Sequence, residues 1–522
     1  MDLNLSYTSL TSRFTRFVAS IVTKRTGLKI VGAAMAFIVG SRLIRRLMRT
    51  PFPGPKAISV ICLPFMSPEK QVEWLTNIAN NYGKISSFRL FFTTVILISD
   101  AKVFHQIAKK RPKVYSRAQV PNLLDHANVA FAEGDAWKVH RKIVSRPLIE
   151  SNVNSLLPTI CSVADSLIRD VHALSNEKGV VSRWAPEEHL VHGASQIASA
   201  VYLGEANPQQ SRVLSSSLDL LFTDDFQRRA VSFVRRELEL SISSIAAVIV
   251  QFPFLTKFHP RLRRLLADWN GEDGLKASWQ GIIEYNLVKR SENPGFKLPS
   301  ILEHAGKEYD MKELMSTLHM FLGAGSDTVA GSLSNLLKYM SLNPDVQERA
   351  RGEALTLKRD PETPEELDQL VYLRGCILES LRLNILGPVL PLVALHDSEI
   401  DGKPIKAGTR IVIMLKKIQE DSYEQGAEFR PERWLSEDGK KVDPDKFREF
   451  TGFGDGPRIC PGRHLAMKEM LVYASRLLRH FRNMRLAEVS IVENKFTSIV
   501  IMHPQGLYIT MEVANESFSS PA

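Results

Sequence analysis

Cysteine is scarce in this chain. Four occur in 522 residues, Cys62, Cys161, Cys376 and Cys460, and no two are spaced as Cys-x-x-Cys. That excludes a disulfide framework and a cysteine-built zinc site. Four scattered thiols suit a reducing, cytosol-facing setting. Low-complexity tracts and fixed-period repeats are also missing, which removes long disordered stretches and solenoid architectures. With 44% hydrophobic residues, the chain can bury a large core as one big fold or as two domains.

Acidic residues are nearly absent from one region. Residues 1–56 hold ten basic groups against Asp2 alone, a net +9 out of +10 for the whole chain. The basic excess therefore belongs to a leader and not to a groove on the folded body, which argues against a nucleic-acid partner. That leader also lacks a long hydrophobic run. Its uncharged stretch Ile30–Ser41 reaches roughly 18 Å as a helix, short of a ~30 Å hydrocarbon core. Extending it through Phe17–Val22 takes Lys24, Arg25 and Lys29 into the bilayer or makes them snorkel. Residues 1–50 read as a basic, apolar membrane anchor in contact with membrane lipids, with the Arg42–Arg49 cluster on the cytoplasmic side. A mitochondrial presequence is the alternative. Pro51-Phe52-Pro53-Gly54-Pro55 reads as a stiff hinge over 51–56, leaving 57–522 as the folded body.

The body is mainly α with small β-sheets. Ile85–Ser99 is β-branched and aromatic with partial alternation, as strands are. Ser398–Met414 carries Asp401-Gly402 and Ala407-Gly408 between short apolar runs, a hairpin pattern. Helical patterning dominates from about Asn152 to Leu383. The longest helix is predicted to start at Asp310, with Glu313 closing a capping box, and to stop at Asn343-Pro344. Mid-span it carries Gly323-Ala324-Gly325, each glycine costing up to ~1 kcal/mol relative to alanine. Close helix packing and a functional opening are both compatible with that weakness.

The most informative stretch is Phe453-Gly-Asp-Gly456-Pro-Arg458-Ile-Cys460-Pro-Gly462. A loop bent by glycine and proline presents one thiol just ahead of a helix predicted over Gly462–Phe481. A helix N-terminus lowers a thiol pKa, so a thiolate is expected there. Arg458 offers a guanidinium to a carboxylate. An inert buried thiol is the ordinary fate of a lone cysteine, but F-x-x-G-x-R-x-C-x-G is matched at every fixed position.

With these residues in view, the chain resembles the cytochrome P-450 family, of the eukaryotic microsomal type, over most of its length. Four more motifs stand in the family's order. Trp137-Lys-Val-His-Arg141 resembles its WxxxR helix, and Ala324-Gly-Ser-Asp327-Thr328 resembles its oxygen-activating segment. Glu379-Ser-Leu-Arg382 resembles its ExxR pair, and Phe429-Arg-Pro-Glu-Arg433-Trp434 resembles its PERW-type segment. Two departures stand out. Asn384–Pro388 and Leu392 occupy the place of a proline-rich turn and a propionate-binding arginine, and Gln419-Glu420-Asp421 replaces His-Arg-Asp.

The resemblance implies the P-450 fold, with a long central distal helix over haem and a proximal Cys loop. It implies haem b (iron protoporphyrin IX) bound through Cys460 as the axial iron ligand, with Trp137, Arg141, Arg458 and Phe453 binding the cofactor. Thr328 would supply a hydroxyl where oxygen is activated, and Asp327 would relay protons to it. Glu379, Arg382 and Arg433 would form a buried structural network. No flavin or nicotinamide domain is visible, so electrons would come from NADPH through a separate NADPH–cytochrome P-450 reductase on the endoplasmic reticulum membrane, or from a ferredoxin in mitochondria. Lys138, Lys142, Arg463 and Lys468 are candidate docking charges. The expected reaction is hydroxylation or epoxidation of a lipophilic small molecule, such as a product of secondary metabolism. A haem-thiolate isomerase or dehydratase and a non-enzymatic haem protein are the alternatives. The Asp327-Thr328 pair argues against the first, and the lack of a signalling domain argues against the second.

Overall fold

The computed structural model describes residues 50–55, 63, 66–90, 93–117, 128–130, 132–203, 229–237, 260–271, 274–292, 300–305, 309–498 and 501–514. The proposed anchor and Cys62 lie outside them.

Helices form the bulk of the body. Those that position the site are α1 (Ala101–Lys109), α2 (Gly134–Ser145), α3 (Leu157–His172), α4 (Pro186–Leu203), α5 (Met311–Leu342), α6 (Pro344–Leu355), α7 (Val371–Leu383) and α8 (Arg463–His480). Apart from α1, whose Val103, Phe104 and Ile107 pack in a second cluster, their apolar faces meet in one large core cluster, in which α5 is buried along most of its length. The Asp310 side chain accepts from the Glu313 amide at 2.7 Å, and Glu313 reaches back to the Asp310 amide at 3.3 Å. This capping box satisfies donors that a helix start otherwise leaves open. At the other end Pro344 opens α6, where a missing amide costs nothing.

The two glycines of α5 have a packing explanation. A side chain at Gly323 would meet Val234 at 2.6 Å, and one at Gly325 would meet Ala198 of α4 at 3.3 Å. They let the 229–237 helix and α4 lie directly against α5, so close packing is what the glycines provide.

Strands gather at the other end. β1 (Ile85–Leu90) pairs antiparallel with β2 (Thr93–Ile98), β2 runs parallel to β8 (Arg410–Ile413), and β8 continues through β5 (Leu390–Ala394) to β3 (Tyr115–Arg117). β6 (Ser398–Ile400) and β7 (Lys403–Ile405) form the expected hairpin, with Asp401 and Gly402 at φ 48° and 71°. Positive φ at both central residues is what a tight two-residue turn requires. A three-stranded sheet joins β4 (Val180–Trp184), β12 (Ile509–Val513) and β9 (Phe481–Leu486), and β10 (Glu493–Ser498) pairs with β11 (Ile501–Gln505).

The segment expected to be a hinge is docked on this sheet. The Phe52 amide donates to Ser87 Oγ at 2.8 Å, and the Ser87 amide donates to the Pro53 carbonyl at 2.8 Å. Phe52 is buried, with Lys403 Nζ over its ring at 4.5 Å. A side chain at Gly54 would collide with the Ser87 carbonyl. Proline stiffness here presents Phe52 to the core and does not make a free spacer.

Candidate active site

The Cys460 loop is closed by its own backbone, the Cys460 amide donating to the Phe453 carbonyl at 2.9 Å. Gly456 has φ 68°, and a side chain there would strike the Ala108 carbonyl at the end of α1. Asp455 braces the same junction, its Oδ1 accepting from the Gly456 amide and its Oδ2 meeting His105 Nδ1, both at 2.6 Å. Cys161 and Cys376 are buried in the helical core, whereas Cys460 is half-buried. Phe453, also half-buried, meets Phe450 edge-on at 5.8 Å. The helix behind the loop starts at Arg463.

The expected thiolate does not follow from helix placement alone. Burial pushes the Cys460 thiol up, and this outweighs the Gly462 amide, Arg141 and Arg463, which pull it down. A coordinating cation would reverse the balance, because metal binding deprotonates a thiol outright.

Beside the loop lies a concentration of guanidinium groups. Arg141 Nη1 donates to the Ile459 carbonyl at 2.7 Å, which ties α2 to the residue before the cysteine. Arg458 sits over the Trp137 ring at 4.4 Å and bonds Glu133 at 2.6 Å and the Ala132 carbonyl at 2.8 Å. Arg111 and Arg117 join the same cluster. Arg111 is pushed down to about 9 by burial and by its cationic neighbours Arg117 and Arg458. Burial also lowers Arg117, and it lowers Arg458 to about 10. Three crowded arginines share one carboxylate, Glu133, and Nε of both Arg111 and Arg458 is buried without a hydrogen-bond partner among the described residues. Such a surplus of donors and charge suits an incoming dicarboxylate. Sequence reading missed Arg111 and Arg117. Nothing local marks them, and only the fold brings 111–117 back against Arg458.

On α5, Ala324 is exposed in the middle of an otherwise buried helix, flanked by half-buried Phe321, Gly325 and Thr328. That face is left open by the described residues. The Thr328 hydroxyl donates to the Ala324 carbonyl at 2.7 Å. Asp327 points elsewhere. It is buried at 5% exposure, and Arg235 Nε donates to its Oδ1 at 2.7 Å. Arg235 also pairs with Glu187 at 3.0 Å. Burial alone would lower the Arg235 guanidinium, but Asp327 and Glu187 hold it above its usual range. Asp327 and Thr328 are thus adjacent in sequence but differently engaged. Arg235, 92 residues from Asp327, left no signal in the sequence.

Behind the site, Glu379 and Arg382 are fully buried and joined by two bonds of 2.9 Å. Glu379 also accepts from Arg433 at 2.8 Å, the Arg430 amide at 3.0 Å and Trp434 Nε1 at 2.9 Å. Arg382 donates to the carbonyls of Gln419 and Gly426 at 3.1 and 2.7 Å, so the divergent Gln419 contributes only its backbone. Leu392, the other departure, is buried in β5. Lys468 is buried and is no docking charge, while Lys138 and Lys142 are exposed.

The cytochrome P450 family model matches residues 51–511. This chain is a cytochrome P450. It is similar to a cytochrome P450 monooxygenase, claR, of Ampulloclitocybe clavipes, at 25% identity over 91% of this chain and 88% of the relative. It is equally similar, at 25%, to carnosic acid synthase of Salvia fruticosa over 82% of this chain and 86% of the relative. Human cytochrome P450 2U1 is 25% identical over 78% and 74%. As a P450, the protein is an oxygen-incorporating oxidoreductase, a haem monooxygenase that uses an electron donor. The half-buried thiol, the arginine cluster with unpaired donors and the exposed mid-helix face all fit a haem-iron cofactor.

Proposed function

We propose that this P450 hydroxylates or epoxidises a lipophilic small molecule, with haem b on Cys460 and electrons from a separate NADPH-dependent reductase. The observation that carries the reading is the exposed apolar face at Phe321 and Ala324, next to Thr328, within an otherwise buried helix. An apolar wall of this kind binds lipophilic compounds and excludes bulk water. Bound haem supplies thiolate-supported oxygen activation. Trp137, Arg141 and Arg458 would orient it, with Arg111 and Arg117 adding positive charge for its carboxylates. Thr328 holds a proton on a hydroxyl that rotation about one bond would free from the Ala324 carbonyl. Asp327 can relay protons only when Arg235 releases it. Lys138, Lys142 and Arg463 offer cations to a reductase.

The basic leader supports placement on the endoplasmic reticulum membrane with a cytosolic catalytic domain; import into mitochondria would make a ferredoxin the donor. No helix of the described residues is long and apolar enough to cross a membrane. Incubating the full chain with reductase, NADPH and a panel of terpenoid, sterol, fatty-acid and polyketide compounds tests the reading. A product heavier by one oxygen atom is expected. Turnover of organic peroxides without NADPH, and no oxygenated product, would overturn it.

A further inference from the structure

Three buried polar side chains, one on α4 and two on α8, are used by none of the functions above. Glu469 of α8 is 2% exposed, Tyr202 of α4 is 2% exposed and Tyr473 of α8 is 1% exposed. Glu469 Oε2 and both phenolic oxygens are buried without a hydrogen-bond partner among the described residues. A glycine makes room for one phenol, and the other lies beside a second glycine. A side chain at Gly193 would collide with the Tyr473 hydroxyl, and one at Gly325 would sit 3.6 Å from the Tyr202 hydroxyl. Burial holds the Glu469 carboxyl well above its usual range, and its nearness pushes both phenols further up.

The group has two ends. Gly193, which leaves room for the Tyr473 hydroxyl, also lines, with Val163, a cleft of about 690 Å³ that reaches solvent at Asp170. Tyr202 lies against Gly325, one helical turn from Thr328 on the same side of α5. We propose that Glu469, Tyr202 and Tyr473 hold an internal water and form a second proton route, from the cleft to the Ala324–Thr328 turn. It rests on the oxygen-activating reading of that turn.

Three orphan polar atoms are the number of partners a buried water usually takes, and leaving them unsatisfied would cost free energy. A proton arriving at Tyr473 displaces one through the water onto Glu469. The acid proton of Glu469 passes through the same water to Tyr202, which releases its own hydroxyl proton toward the Thr328 hydroxyl, so each group of the relay ends with the protons it began with. The route runs in parallel with Asp327, which Arg235 restrains.

Infrared difference spectra of the haem-loaded protein at neutral pH should show a protonated carboxyl band that Glu469→Gln removes and Tyr202→Phe shifts. This readout needs no substrate, so it separates failure of the route from failure of the proposed function. Tyr473→Phe should lower the thermal midpoint, whereas an idle orphan hydroxyl would leave it unchanged or raised. Return of dithionite-reduced protein to its oxidised spectrum in aerated buffer gives the kinetic test, run in light and heavy water. Asp327→Asn with Glu469→Gln should slow it on the order of 10²-fold more than Asp327→Asn alone, with loss of the isotope effect. If Glu469→Gln fails to fold, Tyr202→Phe takes its place in the pair. A double variant that matches Asp327→Asn, or no protonated carboxyl band, overturns the proposal.

Discussion

Cys460 and Thr328 carry different parts of the chemistry, and substitutions can separate them. Cys460→Ala removes the one half-buried thiol among the described cysteines. The reduced, carbon monoxide-treated protein should then lose the red-shifted Soret band of a thiolate-ligated haem, because Cys161 and Cys376 are locked in the core. A band that survives would mean another ligand. Thr328→Val keeps shape and deletes the hydroxyl that now donates to Ala324. Haem binding should persist while product per NADPH falls and hydrogen peroxide rises, since general acid assistance is worth ~10²–10⁴-fold. Unchanged coupling would remove Thr328 from proton delivery. Cys460 was legible because its loop confines five fixed positions to ten residues. Arg111, Arg117 and Arg235 were not, because their roles come from long-range folding. The same limit explains why Asp327 looked like a free relay in the sequence: its ion pair with Arg235 lies outside any local window.

Secondary structure was readable wherever a local rule decides it. The Asp310–Glu313 capping box and the Asp401-Gly402 turn fix their conformations through adjacent atoms. The 51–56 segment misled because proline-rich chain is stiff whether it spans solvent or lies on a sheet. Only Phe52 hinted at burial. The glycines of α5 were ambiguous for a similar reason, since Val234 is invisible from 323. Between elements, Glu379 is the joint. It gathers Arg382 of α7 together with Arg433, Trp434 and the Arg430 amide. Glu379→Ala would leave two guanidinium groups without their buried carboxylate, at about 3–5 kcal/mol. Haem-poor or insoluble protein is expected, read by haem content and thermal melting. Normal haem content and an unchanged midpoint would show that the carboxylate is dispensable.

At the scale of the whole molecule, Phe52 and Pro53 are bonded to the body, and paired truncations test where the leader ends. Removing residues 1–49 takes away nine of the ten basic groups in 1–56 but leaves Phe52 and its bonds to Ser87. That truncated chain should leave the membrane fraction, keep its haem and melt near the full chain. Removing 1–55 also strips Phe52 from its buried site and leaves Ser87 without three hydrogen bonds, to the Phe52 amide, the Phe52 carbonyl and the Pro53 carbonyl. Burying a phenylalanine side chain is worth about 1.5–3 kcal/mol, and each lost hydrogen bond adds about 1 kcal/mol. For a body this large, an increment of that size lowers the melting midpoint by a few degrees. Ser87 sits in β1, at the edge of the sheet that runs through β8 and β5 to β3, so the loosening should begin there and reach Arg117 at the far edge. Equal melting of the two truncated chains would mean that Phe52 contributes nothing and that the body begins after the proline-rich segment. Retention of the 1–49 deletion in the membrane fraction would instead move membrane attachment onto the body itself.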